Sequence, residues 1–491
     1  MAINFTFYPE SNRVPGVFVE MDPSQANTAR TFQRSLVLGQ ITDDGDAPPL
    51  FPLQVNTLTQ IQAACGRGSM LAMMAHSYRT CDPFGDLWIL PYADSGTAAA
   101  AVGSITFAGS NAASNGTLFL YIAGMPVRCG IAEGDTPAAI ATKLLTALDN
   151  LDDLPVTATR ALGVVTLTAK NKGLSGNSID VRLNYYGAAG GEWTPPGPTI
   201  TIVQPTGGTG NPLISDGLAN LSDQNFDFIV TPYTDTPNLD AMKIFLDDAT
   251  GRWSWEQMLY GGAFSAYRGS FSQCVNFGLA RNDQHTSVMP YNNSPDPPWV
   301  WAAQIGAFAS ASLRVDPGLP LQYIGTYLKA PPVANRWAIG ERNTLLYSGL
   351  SSFRVADDGT VVIDRMTTTY QKNPAGTEDD SYLDVETMYG LMYVARDLAR
   401  YLVSKYARKK LVSDQTPILP GSNSVNAPMI KASTIAEYRV LEANGFVQNS
   451  RNFARDIVVE NAGRGLVKIL APVDLVNQLR QIAILLQFRK S

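Results

Sequence analysis

Two stretches in which strands and helices alternate, separated by about 110 residues of a different texture, most constrain what this chain can fold into. In the first, Ser35-Leu36-Val37-Leu38-Gly39 reads as a buried strand. Thr57 to Ala64 reads as a helix starting at a Thr cap, Ser69 to Tyr78 as a second, with Met70, Leu71, Met73 and Met74 as core filler, and Asp86 to Tyr92 as another strand. In the second, helices at Leu213 to Leu221, Leu239 to Asp247, Tyr267 to Leu279 and Trp299 to Arg314 alternate with strands at Phe226 to Pro232, Met258 to Phe264 and Thr286 to Pro290. Such alternation implies a mostly parallel sheet covered by helices on its faces.

Between them, from Asp94-Ser95-Gly96-Thr97 to Gln204-Pro205-Thr206-Gly207-Gly208-Thr209-Gly210, small residues dominate. Strands are expected at Ser104 to Phe107, Thr117 to Ile122, Met125 to Cys129, Val156 to Thr159, Val164 to Ala169 and Ile179 to Tyr185. One helix runs from Pro137 to Leu148, with Thr136 as its cap and Pro137 in its first turn. This gives an α/β middle domain of residues 25–95 plus 211–350, interrupted by an inserted β-rich domain of residues 96–210 with one helix. The Gly-rich exit reads as a flexible hinge, since no Lys follows it and no GxxxxGK[ST] occurs.

Residues 351–479 read as a C-terminal α+β core domain, completing a multidomain fold. A hairpin spans Ser352 to Ile363 across Asp357-Asp358-Gly359, and a long helix runs from Leu383 to Leu411. Its apolar stripe is Met388, Leu391, Met392, Ala395, Leu398, Ala399, Leu402 and Tyr406, and cations lie toward its C-terminal end, where they suit the helix dipole. Met429 to Ala443 is a further helix ended by Asn444-Gly445, and Ile457 to Glu460 pairs with Leu466 to Leu470.

Both ends read as arms, residues 1–24 and 480–491. In the last stretch Ile482, Ile484, Leu486 and Phe488 share one face of an extended segment, while Gln481, Ala483, Leu485 and Gln487 share the other. A strand so largely apolar on both faces needs neighbours and cover. At the start, Val14-Pro15-Gly16-Val17-Phe18-Val19-Glu20 is a β-prone run, and about twenty extended residues reach roughly 65 Å. Either end could add a strand to another copy's sheet, or complete a sheet of its own chain.

Composition narrows the function. With 45% hydrophobic and 16% charged residues the chain is a folded protein, and low charge with 41 Gly and 31 Pro suits a loop-rich surface covered by assembly. Cys65, Cys81, Cys129 and Cys274 form no CxxC pair and read as buried thiols from a reducing cytoplasm. No run of eighteen apolar residues occurs and the first residues lack a signal-peptide pattern, so neither membrane insertion nor export is expected. Residues 381–491 carry 15 Lys+Arg against 9 Asp+Glu, while the remainder carries 22 against 34. The basic end either solvates a helix or meets an acidic partner.

The search for chemistry finds His76 and His285 without partners at ligand spacing. Asp43-Asp44, Asp152-Asp153, Asp247-Asp248 and Asp379-Asp380 sit in loops or at helix ends. Neither HExxH, GxSxG nor a strand-borne GxGxxG occurs, and with a pI of 5.1 nucleic-acid binding is not expected. The reading is a non-enzyme without cofactors. The alternative in another class is a hydrolase or binding enzyme built on the α/β region.

Three segments carry a family resemblance. Arg13-Val14-Pro15-Gly16-Val17-Phe18-Val19-Glu20 resembles the "PGVYVEE"-like opening of contractile-tail sheath proteins from Mu-like and related phages, with Phe18 and Met21 as departures. Ile363-Asp364-Arg365-Met366-Thr367-Thr368-Thr369-Tyr370 resembles their "I-x-R-x-I-T-T-Y" strand. Gly134 to Ala141 and Leu154 to Ala158 are similar to their outer domain.

The resemblance implies a subunit that stacks in six-fold rings around a tail tube and contracts, without ATP, to drive the tube through the host envelope. It implies terminal arms exchanged between neighbours, here Val14, Val17, Phe18 and Val19 at one end and Ile482, Ile484, Leu486 and Phe488 at the other. The implied partners are further copies, the tube protein, and baseplate and terminator proteins at the ends; the implied location is the virion tail, assembled in the host cytoplasm. Arg396, Arg400, Arg408, Lys409 and Lys410 become candidates for an acidic tube surface. The sheath of a phage-derived injection device (a tailocin or secretion system) would share these features, and another self-assembling tail component, such as a tube or baseplate protein, is the remaining alternative.

Overall fold

The computed structural model describes residues 33–419 and 421–490. The N-terminal arm candidates Val14, Val17, Phe18 and Val19 lie outside the described residues.

A six-stranded sheet forms the centre, in the order Thr286–Tyr291, Gly262–Arg268, Phe228–Val230, Arg34–Gln40, Asp86–Tyr92, Leu53–Gln54. All neighbours run parallel except the last, antiparallel pair. Arg34–Gln40 sits mid-sheet, with Leu36 opposite Trp88 on one side and Ile229 on the other, so the stretches before and after the insertion share one sheet. Alternate residues of this strand feed opposite cores. Val37 packs with Leu87, Val230 and Phe264 among residues of the helices Met70–Cys81 and Pro298–Val315. Leu36 and Leu38 pack with Leu90 and Ile229 among residues of Ser215–Ala219 and Thr236–Leu246. Burial on both faces explains why the strand reads as a continuous apolar run.

The insertion holds two antiparallel sheets. One has the order Pro198–Thr206, Val102–Gly109, Val164–Ala169, Val156–Ala161 and packs against the helix Pro137–Asp149; the other has the order Met125–Ile131, Gly116–Ile122, Val181–Leu183. The helix starts as its sequence dictates, with the Thr136 hydroxyl accepting from the Ala139 amide. Pro198–Thr206 has no counterpart among the expected strands. It is an edge strand, where Pro198 and Pro205 cost no interior ladder bond.

The Gly-rich exit is not a free hinge. Asn177 donates to the Gly208 carbonyl at 2.9 Å and accepts from its amide at 2.8 Å, and Ala99 bridges Thr209. The insertion is also tied to the centre by buried groups. Asn171 accepts from the Met70 amide and donates to the Ile41 carbonyl, while Asp180 receives Arg268, which also donates to the Ser178 carbonyl. Gly124, at φ +78°, turns so close to Asp296 that a Cβ would lie 1.9 Å from its Oδ1.

The C-terminal part begins with a three-stranded antiparallel sheet of Ile324–Gly325, Val361–Arg365 and Ser352–Val355. Its Thr run becomes a staple rather than a longer strand. The Thr369 amide donates to the Thr286 carbonyl of the central sheet's edge strand, the Thr367 amide to Ser351 Oγ, and the Thr368 amide to the Leu383 carbonyl. The long helix is Val385–Tyr406, shorter than the expected Leu383 to Leu411. Arg408 and Lys409 follow its end, and Lys410–Leu411 pairs instead with Ser424–Val425. A separate small core of Val394, Tyr438, Leu441, Val447, Phe453 and Ile457 joins this helix to Ala427–Ala443 and Ser450–Asp456. Tyr438 stacks on Phe453 at 3.7 Å. Other boundaries move by a few residues. The strand expected at Met258 to Phe264 is Gly262–Arg268, and Ile179 to Tyr185 shrinks to Val181–Leu183.

Candidate functional site

The last described residues do not form a strand within their own chain. After the hairpin Val458–Gly463/Leu466–Leu470, the chain crosses back, with the Gln448 amide donating to the Asp474 carbonyl and Val447 bridging Leu475. The Tyr438 hydroxyl, which donates to the Gln448 carbonyl, accepts from the Asp474 amide at 3.0 Å. Gln322 Nε2 then donates to the Leu479 carbonyl at 3.0 Å.

Arg480 closes the route. Its guanidinium reaches Glu386 Oε1 at 2.9 Å and Asp384 Oδ1 at 3.1 Å, with only 14% of its side chain exposed. Asp384 also holds Arg365 through two bonds of 2.8 and 2.9 Å, and Glu386 Oε1 accepts from the Leu321 amide at 2.5 Å. Burial pushes the Glu386 carboxyl up from its ordinary range, an effect that Arg480 opposes.

Past this anchor, Ile482, Ile484, Leu485, Leu486 and Phe488 are 74 to 90% exposed and no described strand includes them. The reading in which this end completes its own chain's sheet is therefore overturned for residues 481–490. Folded proteins expose single apolar residues, whereas here five large ones stand exposed within seven consecutive positions. The hairpin has the complementary property. Among the described residues it is two-stranded, with Val459 and Ile469 turned onto the small core and Val458, Leu466 and Leu470 at least half exposed. Two strands alone are marginal in water, and unpaired edges accept further strands.

The basic candidates divide. Arg396 points inward: its Nη2 meets Asp227 Oδ1 at 2.5 Å, Asn225 Oδ1 at 3.0 Å and the Leu259 carbonyl at 2.7 Å. That guanidinium is committed to joining the long helix to the central sheet, so it is not free to meet an acidic tube surface as expected of it. Arg400 is half exposed beside Asp397, while Arg408, Lys409 and Lys410 are exposed past the helix end, Lys409 donating to Asn423.

Sequence reasoning did not find Arg480 or Tyr389, whose hydroxyl donates to the Asp227 carbonyl while its ring stacks on Phe228 at 5.1 Å. The one available signal for Arg480 was a cation at the junction between a polar segment and the apolar run. Elsewhere, a cleft of about 390 Å³ lies between the insertion and the centre, lined in part by Met73, His76, Gly124, Asp296, Gln304 and Lys329. Among the described residues no group of three or more His, Cys, Asp or Glu is placed to hold a metal ion, and no helix is long and apolar enough to cross a membrane.

An α/β body whose last described residues form an exposed apolar segment fits the class of self-assembling structural subunits. The sequence matches the phage tail sheath protein central domain over residues 207–369 and the phage tail sheath C-terminal domain over residues 377–489. It is 34% identical over 492 residues to the Mu-like prophage FluMu tail sheath protein of Haemophilus influenzae, covering 99% of this chain and 100% of that one. Among solved structures, it resembles the sheath tail protein Lin1278 from Listeria innocua (11% identity, 92% and 94% of the two chains, TM-score 0.47). It also resembles a chain of the anti-feeding prophage baseplate (12% identity, 98% and 99%, TM-score 0.48). The chain belongs to the phage tail sheath protein family. It is a structural subunit of a contractile tail sheath and thus a component of the virion tail.

Proposed function

We propose that this subunit polymerises as stacked six-fold rings around the tail tube and is held to its neighbours by exchanged arms. Residues 481–490 of one copy extend the open hairpin Val458–Gly463/Leu466–Leu470 of another, and the N-terminal run Val14, Val17, Phe18 and Val19 adds a further strand. The single observation that carries this reading is the largely apolar segment Ile482 to Phe488, exposed beyond a fixed root. Ladder hydrogen bonds between chains persist while rigid bodies swing, so subunits rearrange without dissociating. Contraction then draws on energy stored in the extended lattice; no enzymatic step is assigned to the chain.

In this arrangement residues 25–95 with 211–350 form the middle domain, residues 96–210 the outer one and residues 351–479 the inner core. Arg400, Arg408, Lys409 and Lys410 face an acidic tube, and the ends of the cylinder meet baseplate and terminator proteins. Assembly takes place in the host cytoplasm, and contraction drives the tube through the host envelope.

The test is negative-stain microscopy and sedimentation of the intact chain beside a variant ending at Arg480. Long hollow cylinders from the first and small oligomers from the second are expected. Equal polymerisation of both would overturn arm exchange at this end.

A further inference from the structure

We propose that Arg480 is the positioning residue of the C-terminal arm: its clamp on Glu386 and Asp384 fixes where and in which direction residues 481–490 leave the subunit. The inference rests on the exchange of this arm and adds how the arm is rooted.

The clamp gathers four segments that are far apart in sequence. Arg365 comes from the end of the Val361–Arg365 strand, and Asp384 and Glu386 flank the first residue of the long helix. Leu321 and Gln322 come from the loop before Ile324–Gly325, and Arg480 from the arm itself. Two guanidiniums face two carboxylates, so charge balances. Glu386 is fully buried, and withdrawing Arg480 would leave its carboxylate without the cation it faces, which holds the root in place. The root is thereby fixed while the ten residues after it, reaching about 33 Å when extended, are exposed and make no hydrogen bond or ion pair among the described residues.

The same helix carries the joint to the central sheet. Three residues on from Glu386, Tyr389 stacks on Phe228, and seven further on Arg396 grips Asp227. Tension on the arm therefore enters the body at the first turn of the long helix and passes along one helix to the strand Phe228–Val230. A strand leaving from a fixed point in a fixed direction meets a neighbour's edge with less ordering to lose than one on a loose tether.

The experiment compares the full chain, Arg480→Gln, Arg480→Lys, Gln322→Ala and the chain ending at Arg480. For each, the protein concentration at which sedimentable polymer first forms is measured, with hydrogen exchange on the unassembled chain. Arg480→Gln keeps the arm and is expected to raise that concentration about tenfold or more through lost preorganisation. It should also speed amide exchange around Arg480, while protection at the Gln448 amide persists. Arg480→Lys should recover part of the loss, and Gln322→Ala should shift assembly the same way by less. Should Arg480→Gln unfold the body, the Lys and Gln322 variants decide on the same two readouts.

Unchanged assembly of the Arg480 and Gln322 variants, with the truncated chain failing to polymerise, would overturn the clamp and leave arm exchange intact. Normal polymerisation of the truncated chain would overturn arm exchange, and the clamp with it.

Discussion

Arg396 and Asp227 meet at 2.5 Å across the joint between the long C-terminal helix and the strand that resumes the central sheet after the insertion. Asp227 is completely buried, and its Cα neighbourhood is further tied by Tyr389, whose hydroxyl donates to the Asp227 carbonyl. Arg252, itself buried, adds a second positive charge nearby, and its own guanidinium is pushed down to about 10 by burial. A buried pair of this kind adds little net stability over apolar residues, but breaking it from one side is expensive.

Arg396→Ala should therefore destabilise the folded chain by about 3–5 kcal/mol near pH 7, read from denaturant unfolding. Burial pushes the Asp227 carboxyl above its ordinary value of 3.8, with Arg396 opposing the rise. Without Arg396 it rises further. The folded state then binds a proton that the unfolded state releases until about pH 3.8, so the defect should shrink as pH falls through the folded value. A defect that grew on acidification would contradict this account.

Charge placed on the arm should separate assembly from folding. Ile484→Asp or Leu486→Asp alters a side chain that touches little in its own subunit, so unfolding should change by no more than about 0.5 kcal/mol. In the same samples sedimentable polymer should disappear, because each Asp would be buried unpaired against a neighbour's sheet. Loss of monomer stability instead would mean that the arm folds onto its own body.

Reversal of Arg400, Arg408, Lys409 and Lys410 to Glu tests the basic surface. Arg408, Lys409 and Lys410 are exposed and Arg400 is half exposed, so the chain should remain folded, with some loss of stability from Arg400, whose cation Asp397 would lose. Binding to purified tubes should weaken at low salt. The difference from the unaltered chain should narrow above about 0.1 M salt, where screening acts over about 10 Å. Equal tube binding by both forms at low salt removes these residues from the tube-facing side.

Two glycines in the insertion share a left-handed backbone but differ in what surrounds them. Gly124, at φ +78°, would place a Cβ 1.9 Å from Asp296 Oδ1, whereas Gly134, at φ +84°, has nothing within 4 Å of that position. Gly134→Ala should cost only the backbone term, about 1–2 kcal/mol. Gly124→Ala should cost more, because Asp296 is buried and already holds the Lys329 amide at 2.5 Å. Equal losses in thermal unfolding would show that the turn yields freely.

Local pattern carried much of the fold. The Asp86–Tyr92 and Val164–Ala169 strands have the bounds their sequences suggest, and Thr57 and Thr136 cap the helices they precede. The Pro298–Val315 helix was readable within a residue at each end. Pro198–Thr206 was not legible as a strand, because two prolines and a Gly-rich flank mark a loop unless a partner such as Val102–Gly109 is known. The helix Ile339–Tyr347 was missed for a related reason: only Leu345 in it is buried, so it carries no apolar stripe.

By itself the sequence determined which segments are extended or helical, which faces seek cover, and that residues 481–488 have apolar side chains on both faces, since these properties repeat over two to four residues. Only the tertiary structure decided that Arg34–Gln40 lies between Asp86–Tyr92 and Phe228–Val230, that Arg396 turns inward to Asp227, and that Arg480 grips Glu386. Those pairings join residues tens to hundreds of positions apart. A charged side chain has no local period that names its partner; it pairs with whichever opposite charge the packed sheets and helices bring within reach while excluding water.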